Sequence, residues 1–240
     1  MKKERYISIG EASKLLDVSI MTLRRWDESG RLGSVIKQPK GNRYYRREDV
    51  EILTSDLLQR AQDWVISGKD IKEEYYSRTS DIFQARLVSM EKLLMQDNEA
   101  IQIFSLLVSV TGEIGNNSFD HNLGQWPDVP GTFFGYDIEK KQIVLADRGL
   151  GVLATLKRVK TGLRYDKDAL KVAFTEIVSG RAPESRGNGL KYVRQVVSQN
   201  PINLFFQSGN AKLQMLGGGN ELNLVEMKGN SKGCIAFITY

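Results

Sequence analysis

Cysteine occurs once in the 240 residues, at Cys234, and histidine once, at His121. A lone thiol excludes an internal disulfide and is the usage expected of a reducing cytoplasm. Long apolar runs are missing. The strongest, Ile101 to Val110, is interrupted by Gln102, Ser105 and Ser109, and it falls far short of the ~20 residues a membrane helix needs. The basic start Met1-Lys2-Lys3-Glu4-Arg5 precedes no apolar stretch, so neither a secretory signal nor a membrane partner is expected. Proline is absent from residues 48–122, where the only glycines are Gly68, Gly112 and Gly115. A stretch so poor in breakers is expected to be mostly helical. Net charge is also missing from most of the chain. Residues 51–240 balance 22 Lys/Arg against 22 Asp/Glu, whereas the first fifty hold 12 against 7. The whole excess of +5 therefore sits in one short segment, which points to a polyanionic partner there.

That segment is densely punctuated. Ser8 stands three residues before Glu11, the spacing of a capping box, ahead of a helix with Ala12, Leu15 and Leu16 on one face. After a turn at Val18, Ser19 can cap a second helix through Thr22, Leu23, Arg24, Arg25 and Trp26, with Gly30 as its stop. Two short helices joined this tightly form the arrangement that sets a second helix into a major groove. On that helix Leu23 and Trp26 should face a core, leaving Arg24 and Arg25 free for phosphates or base edges. Lys40-Gly41-Asn42-Arg43-Tyr44-Tyr45-Arg46-Arg47 then reads as a basic hairpin able to lie along a sugar-phosphate backbone. The string Tyr6 to Ala12, then Val18-Ser19, Thr22 to Trp26, Gly30-Arg31-Leu32, Gly41 to Tyr45 and Glu48-Asp49-Val50, resembles the MerR family over residues 6–53. The resemblance implies a winged helix-turn-helix in residues 1–53 that binds double-stranded DNA through Arg24, Arg25, Arg43 and Tyr44, and a homodimer. It also marks a departure: the cysteine ligands of the metal-sensing members have no counterpart, so a thiol-based sensor is not expected.

Residues 54–96 are expected to form a helical linker or dimerisation segment. From Trp126 onward the texture changes to strands, expected at Thr132–Ile138, Gln142–Asp147, Asn203–Gln207, Lys212–Leu216, Leu222–Met227 and Cys234–Tyr240, with helices near 168–178 and 190–199. Strands with interspersed helices give an α+β class. Three short motifs carry chemistry here. Glu113 and Asn117 stack one turn apart, with Asp120 and His121 a turn further on, so a carboxylate and an amide can polarise a water and hold a hard cation. Asp147-Arg148-Gly149-Leu150-Gly151 follows an apolar strand and offers a carboxylate acceptor beside two glycines that let backbone approach a ligand. Arg186-Gly187-Asn188-Gly189-Leu190 opens a helix whose first N–H groups can cradle phosphate.

In this order the motifs resemble the GHKL ATPase superfamily over residues 97–240, which implies a two-layer α/β sandwich on a mixed, largely antiparallel sheet. The resemblance implies ATP and Mg2+ as cofactors, Glu113 as the catalytic general base and Asn117 as the magnesium ligand. Asp147 would take the adenine amine, Gly149 and Gly151 would shape the pocket floor, and Asp120, Arg186, Gly187 and Gly189 would complete the nucleotide site. The stretch Lys157–Arg186 would be a lid carrying Arg181. The superfamily's late Gly-Thr pair stands here as Gly233-Cys234. A DNA reader joined to such a domain points to a cytoplasmic, ATP-responsive DNA-binding transcriptional regulator. The alternatives are an anti-sigma-like serine/threonine kinase, with a protein as phosphorylation substrate, and a DNA-acting ATPase.

Overall fold

The computed structural model describes residues 6–29, 32–37, 42–176 and 189–240. The chain divides into two compact units, residues 1–60 with 227–229, and residues 61–226 with 230–240.

The first unit opens with β1 (Tyr6–Ser8) and α1 (Ile9–Leu15). Ser8 caps α1 as its spacing from Glu11 dictates. The Glu11 backbone N–H donates to Ser8 Oγ at 3.3 Å, and the Ser8 backbone N–H donates to Glu11 Oε2 at 2.8 Å. Next come α2 (Ile20–Ser29), β2 (Ile36–Lys37), β3 (Arg43–Arg46) and α3 (Arg47–Leu53). The strands form an antiparallel sheet in the order β1-β3-β2. Ile7, Ile9, Ala12, Leu23, Leu32, Tyr45 and Val50 make the core. Leu15 departs from expectation, for it is 47% exposed while Leu16 packs on the core. Ala12 and Leu16, four apart, share the inward line of α1, and Leu15 falls beside it. The hairpin strands are present, whereas Gly30, Lys40 and Gly41 lie outside the described residues.

After α4 (Asp56–Ser67), the second unit has a 3-10 turn at Glu73–Tyr75, then β4 (Tyr76–Ser77), α5 (Ser80–Leu94), α6 (Phe104–Asn122), β5 (Thr132–Asp137) and β6 (Gln142–Asp147). It continues with α7 (Gly151–Lys157), α8 (Asp166–Thr175), α9 (Gly189–Gln199), β7 (Asn203–Met215) and β8 (Asn223–Thr239). The five-stranded sheet runs β4-β5-β6-β8-β7. Every described pairing is antiparallel, where a mixed sheet was expected. The cause is connectivity: β5–β6 and β7–β8 are hairpins, and β8 inserts between β6 and β7 running opposite to both.

Alternate residues of one sheet face (Phe134, Ile143, Leu145, Leu204, Phe206, Ala236 and Ile238) meet Phe83, Leu87, Met90 and Leu94 of α5, Leu107, Val110 and Ile114 of α6, and the valines of α9. The opposite face is buried as well at Phe133, Val144, Phe205 and Phe237, where a two-layer sandwich would leave it open. Tyr75 stacks on Phe133 there, ring centroids 5.3 Å apart. The four short strands expected after residue 200 fuse into two long ones. Gly209-Asn210 reads as a turn in sequence, but it is a bulge held by Asp166, whose Oδ2 accepts from the Asn210 backbone N–H at 3.1 Å.

Residues 54–96 do not form a separate connector, since β4 pairs with β5 and α5 supplies four residues to this core. Nor is Lys157–Arg186 wholly a lid. Residues 166–175 are α8, which buries Leu170 and Phe174, while 177–188, with Arg181, Arg186 and Gly187, lie outside the described residues. No described helix is long and apolar enough to cross a membrane.

Candidate DNA-reading helix and nucleotide site

In the first unit Ser19 fixes where α2 begins. The Thr22 backbone N–H donates to Ser19 Oγ at 3.0 Å, and the two hydroxyls lie 2.9 Å apart. Leu23 is fully buried, Trp26 packs on the core, and Arg24 and Arg25 are exposed. The two wing residues sit differently. Arg43 Nη1 lies 2.9 Å from Oδ2 of the buried Asp27 and donates to the Arg24 carbonyl at 3.2 Å, leaving 18% of its side chain exposed. Its Nη2 reaches Glu28 Oε1 at 3.7 Å. Asp27 Oδ1 accepts from the Ser34 backbone N–H at 2.9 Å. One buried carboxylate thus ties the strand β3 and the Ser34 loop to α2. Tyr44 is half-buried between Ser8 and Ile36 in the sheet. Tyr45 points inward, and burial, then the Asp27 charge, pushes its phenol pKa up.

In the second unit α6 presents two polar stripes. Glu113 and Asn117 are half-buried and face Gly189, the first residue of α9. An added Cβ on Gly189 would lie 2.6 Å from Glu113 Oε2 and 3.2 Å from Asn117 Nδ2. The helix opening expected to cradle phosphate is therefore held directly against the expected base and cation ligand. Asp120 and His121 are on the exposed side of the same helix.

The second stripe, Ser118 and Asn122, holds Asp147 and the loop after it. Asp147 is 2% exposed at the end of β6. Its Oδ2 accepts from Ser118 Oγ at 2.8 Å and its Oδ1 from the Gly149 backbone N–H at 2.9 Å, and the Cys234 backbone N–H is a third donor. A carboxylate offers about four acceptor positions, so three donors leave room for one more. Burial raises the Asp147 pKa, and the Ser118 hydroxyl is the largest opposing influence. Asn122 Oδ1 accepts from the Leu150 backbone N–H at 2.8 Å. A Cβ on Gly149 would collide with the Asn122 amide. Gly151, at φ +78°, starts α7 beside Ser208, whose Oγ accepts from the Val152 backbone N–H at 2.9 Å.

Gly233 closes this cluster at φ +57°, and a Cβ there would lie 2.1 Å from the Asp147 carbonyl oxygen. Burial, then the Asp147 charge, pushes the Cys234 thiol well above its ordinary pKa. Ser118, Asn122 and Ser208 were not singled out in the sequence, whereas Gly233-Cys234 was marked there through the resemblance. For Ser118 and Asn122 a signal exists, a second four-residue spacing on the helix already marked by Glu113 and Asn117. For Ser208 there is none, since only strand pairing places it beside Cys234 and the Gly151 turn.

Residues 8–45 match the family described as MerR family regulatory protein. The match supports a MerR-type helix-turn-helix over those residues and, with it, a DNA-binding transcriptional regulator. No curated protein matches the chain.

Proposed function

We propose that the chain is an ATP-responsive DNA-binding transcriptional regulator, acting as a dimer, in which nucleotide binding to the second unit changes operator binding by the first. DNA binding rests on the MerR match and on the exposed Arg24 and Arg25 of α2. The nucleotide half rests on a single observation: α6 carries Glu113 and Asn117 against Gly189 on one stripe, and Ser118 and Asn122 against the Asp147 loop on the next. The donor set fits the group. Asp147 is a buried acceptor with one position to spare, suited to an exocyclic amine. The Asn117 amide oxygen suits a hard cation, and the opening of α9 suits phosphate. These are the roles implied by the resemblance to GHKL ATPases.

Bound ATP would supply the adenine amine, the anionic phosphates and a transferable phosphoryl group. Asp147 would hold the amine, Asn117 would hold Mg2+, and Glu113 would take a proton at Oε2 from a water or hydroxyl. An effector acts only through unequal affinity for two arrangements, so ATP must favour one DNA-binding state.

Calorimetric titration with ATP and magnesium tests this. Wild-type protein binds, and Asp147→Asn does not, because its amide turns an N–H toward the amine or toward one of the three donors. Glu113→Ala keeps binding and loses turnover by about 10²–10⁴-fold, the usual contribution of a general base. Wild-type protein that gives no heat at millimolar ATP would overturn the nucleotide half and leave DNA binding standing.

A further inference from the structure

At about 100° per residue, Leu23, Trp26 and Asp27 fall on one side of α2, the side that is buried or packed on the core. Met21, Arg24, Arg25 and Glu28 fall on the other, and all four are exposed. Three of these side chains carry charge. The fourth, Met21, is apolar and 67% exposed, and it sits in the first turn of the helix, since Ser19 is the cap. Exposed apolar side chains such as Met21, and the less exposed Ile20 beside it at 41%, need no explanation on an ordinary surface. The place of Met21 is particular: the first turn of a recognition helix is the part that contacts base edges, and the two arginines flank it one turn on.

A thioether donates no hydrogen bond, so Met21 has nothing to offer a phosphate. In the major groove the one apolar feature on a base edge is the C5-methyl of thymine. We infer that Met21 is a base-reading residue that selects a thymine in each half-site through that methyl group, while Arg24 and Arg25 supply the polar contacts. The inference rests on the DNA-binding function proposed above and adds the base that the helix prefers.

The test uses full-length protein and a duplex selected by it from a random library. Each thymine of the selected site is replaced in turn by uracil, which removes the methyl and keeps every hydrogen-bonding group. Wild-type protein should lose about fourfold in affinity at one thymine per half-site, the equivalent of exposing one buried methyl. Met21→Ala should bind the thymine and uracil duplexes equally at that position. Met21→Gln, of similar length, gives the same readout should the alanine variant unfold. A sequence-selective wild type indifferent to uracil at every position would overturn the inference and leave DNA binding intact. The same result follows if a methyl effect persists undiminished in the Met21 variants, since another side chain would then be reading it. If no duplex is selected and none is bound, both the inference and the DNA-binding reading fall.

Discussion

Arg43 and Asp27 show how one ion pair decides what a cation can do. As a wing residue Arg43 is expected to meet phosphate, yet it is turned onto the Asp27 carboxylate, whose side chain is 4% exposed. Removing one partner of a buried pair leaves an uncompensated charge and costs roughly 3 kcal/mol. Arg43→Ala should therefore lower the thermal midpoint by several degrees. At a temperature where the variant is folded, the slope of log affinity against log salt should match wild type. A flattened slope with an unchanged midpoint would instead make Arg43 a phosphate contact.

The Asp147 carboxyl couples stability to pH. Its folded pKa is raised by burial, so the folded chain holds this proton over a window where the unfolded chain, titrating near the ordinary ~3.9, has released it. Stability from this group is full below the unfolded value and is lost as pH rises through the folded one. In urea melts followed upward from the unfolded value, the wild-type advantage over Asp147→Asn should accordingly shrink with rising pH, and an advantage that grows would refute the assigned shift.

Among the elements, α6 is the most constrained, and its glycines make the constraint measurable. A Cβ on Gly112 would sit 3.3 Å from a Leu87 methyl, but one on Gly115 would sit 2.1 Å from the Phe83 ring. Glycine costs a helix interior about 1 kcal/mol relative to alanine, and overpacking typically costs 1–3 kcal/mol. Gly112→Ala should thus be near neutral in chemical denaturation, whereas Gly115→Ala should destabilise by up to about 2 kcal/mol net. Substituting Phe83 by leucine should restore part of that loss. Equal effects at the two glycines would mean that α5 does not approach α6 as described.

How much of each element could be read in advance follows from what fixes it. The cap at Ser8, the start of α2 at Ser19 and strands β5 and β6 depend on neighbours within a few residues, and all were legible. The Gly209 bulge was read as a turn because glycine and asparagine are the same signal for both. The placing of β4 against β5, and of Ser208 beside Cys234 and the Gly151 turn, depends on strand pairing across long stretches of chain, which local pattern does not encode. The helical texture of residues 54–96 was visible, but nothing in it tells a connector from a core helix.

For the whole molecule, the net charge of the first fifty residues and the neutrality of the rest separate two kinds of behaviour. Operator affinity should fall steeply with salt, while binding at the proposed nucleotide site, where Asp147 is buried and Glu113 and Asn117 are half-buried, should fall less. Any coupling between the two proposed binding events must be reciprocal. If saturating ATP changes operator affinity by some factor, saturating operator must change ATP affinity by the same factor, and paired fluorescence-anisotropy titrations check this. A change in one direction only would exclude equilibrium coupling.

The two stripes of α6 also make that helix a yardstick. A residue inserted between Glu113 and Asn117 would turn everything beyond it by about 100°, carrying Asn117 away from Gly189 and Ser118 and Asn122 away from the Asp147 loop together. Loops elsewhere in the unit can vary in length as the chain diverges, but the count of residues from Glu113 to Asn122 cannot. Any chain that keeps this site must keep that interval.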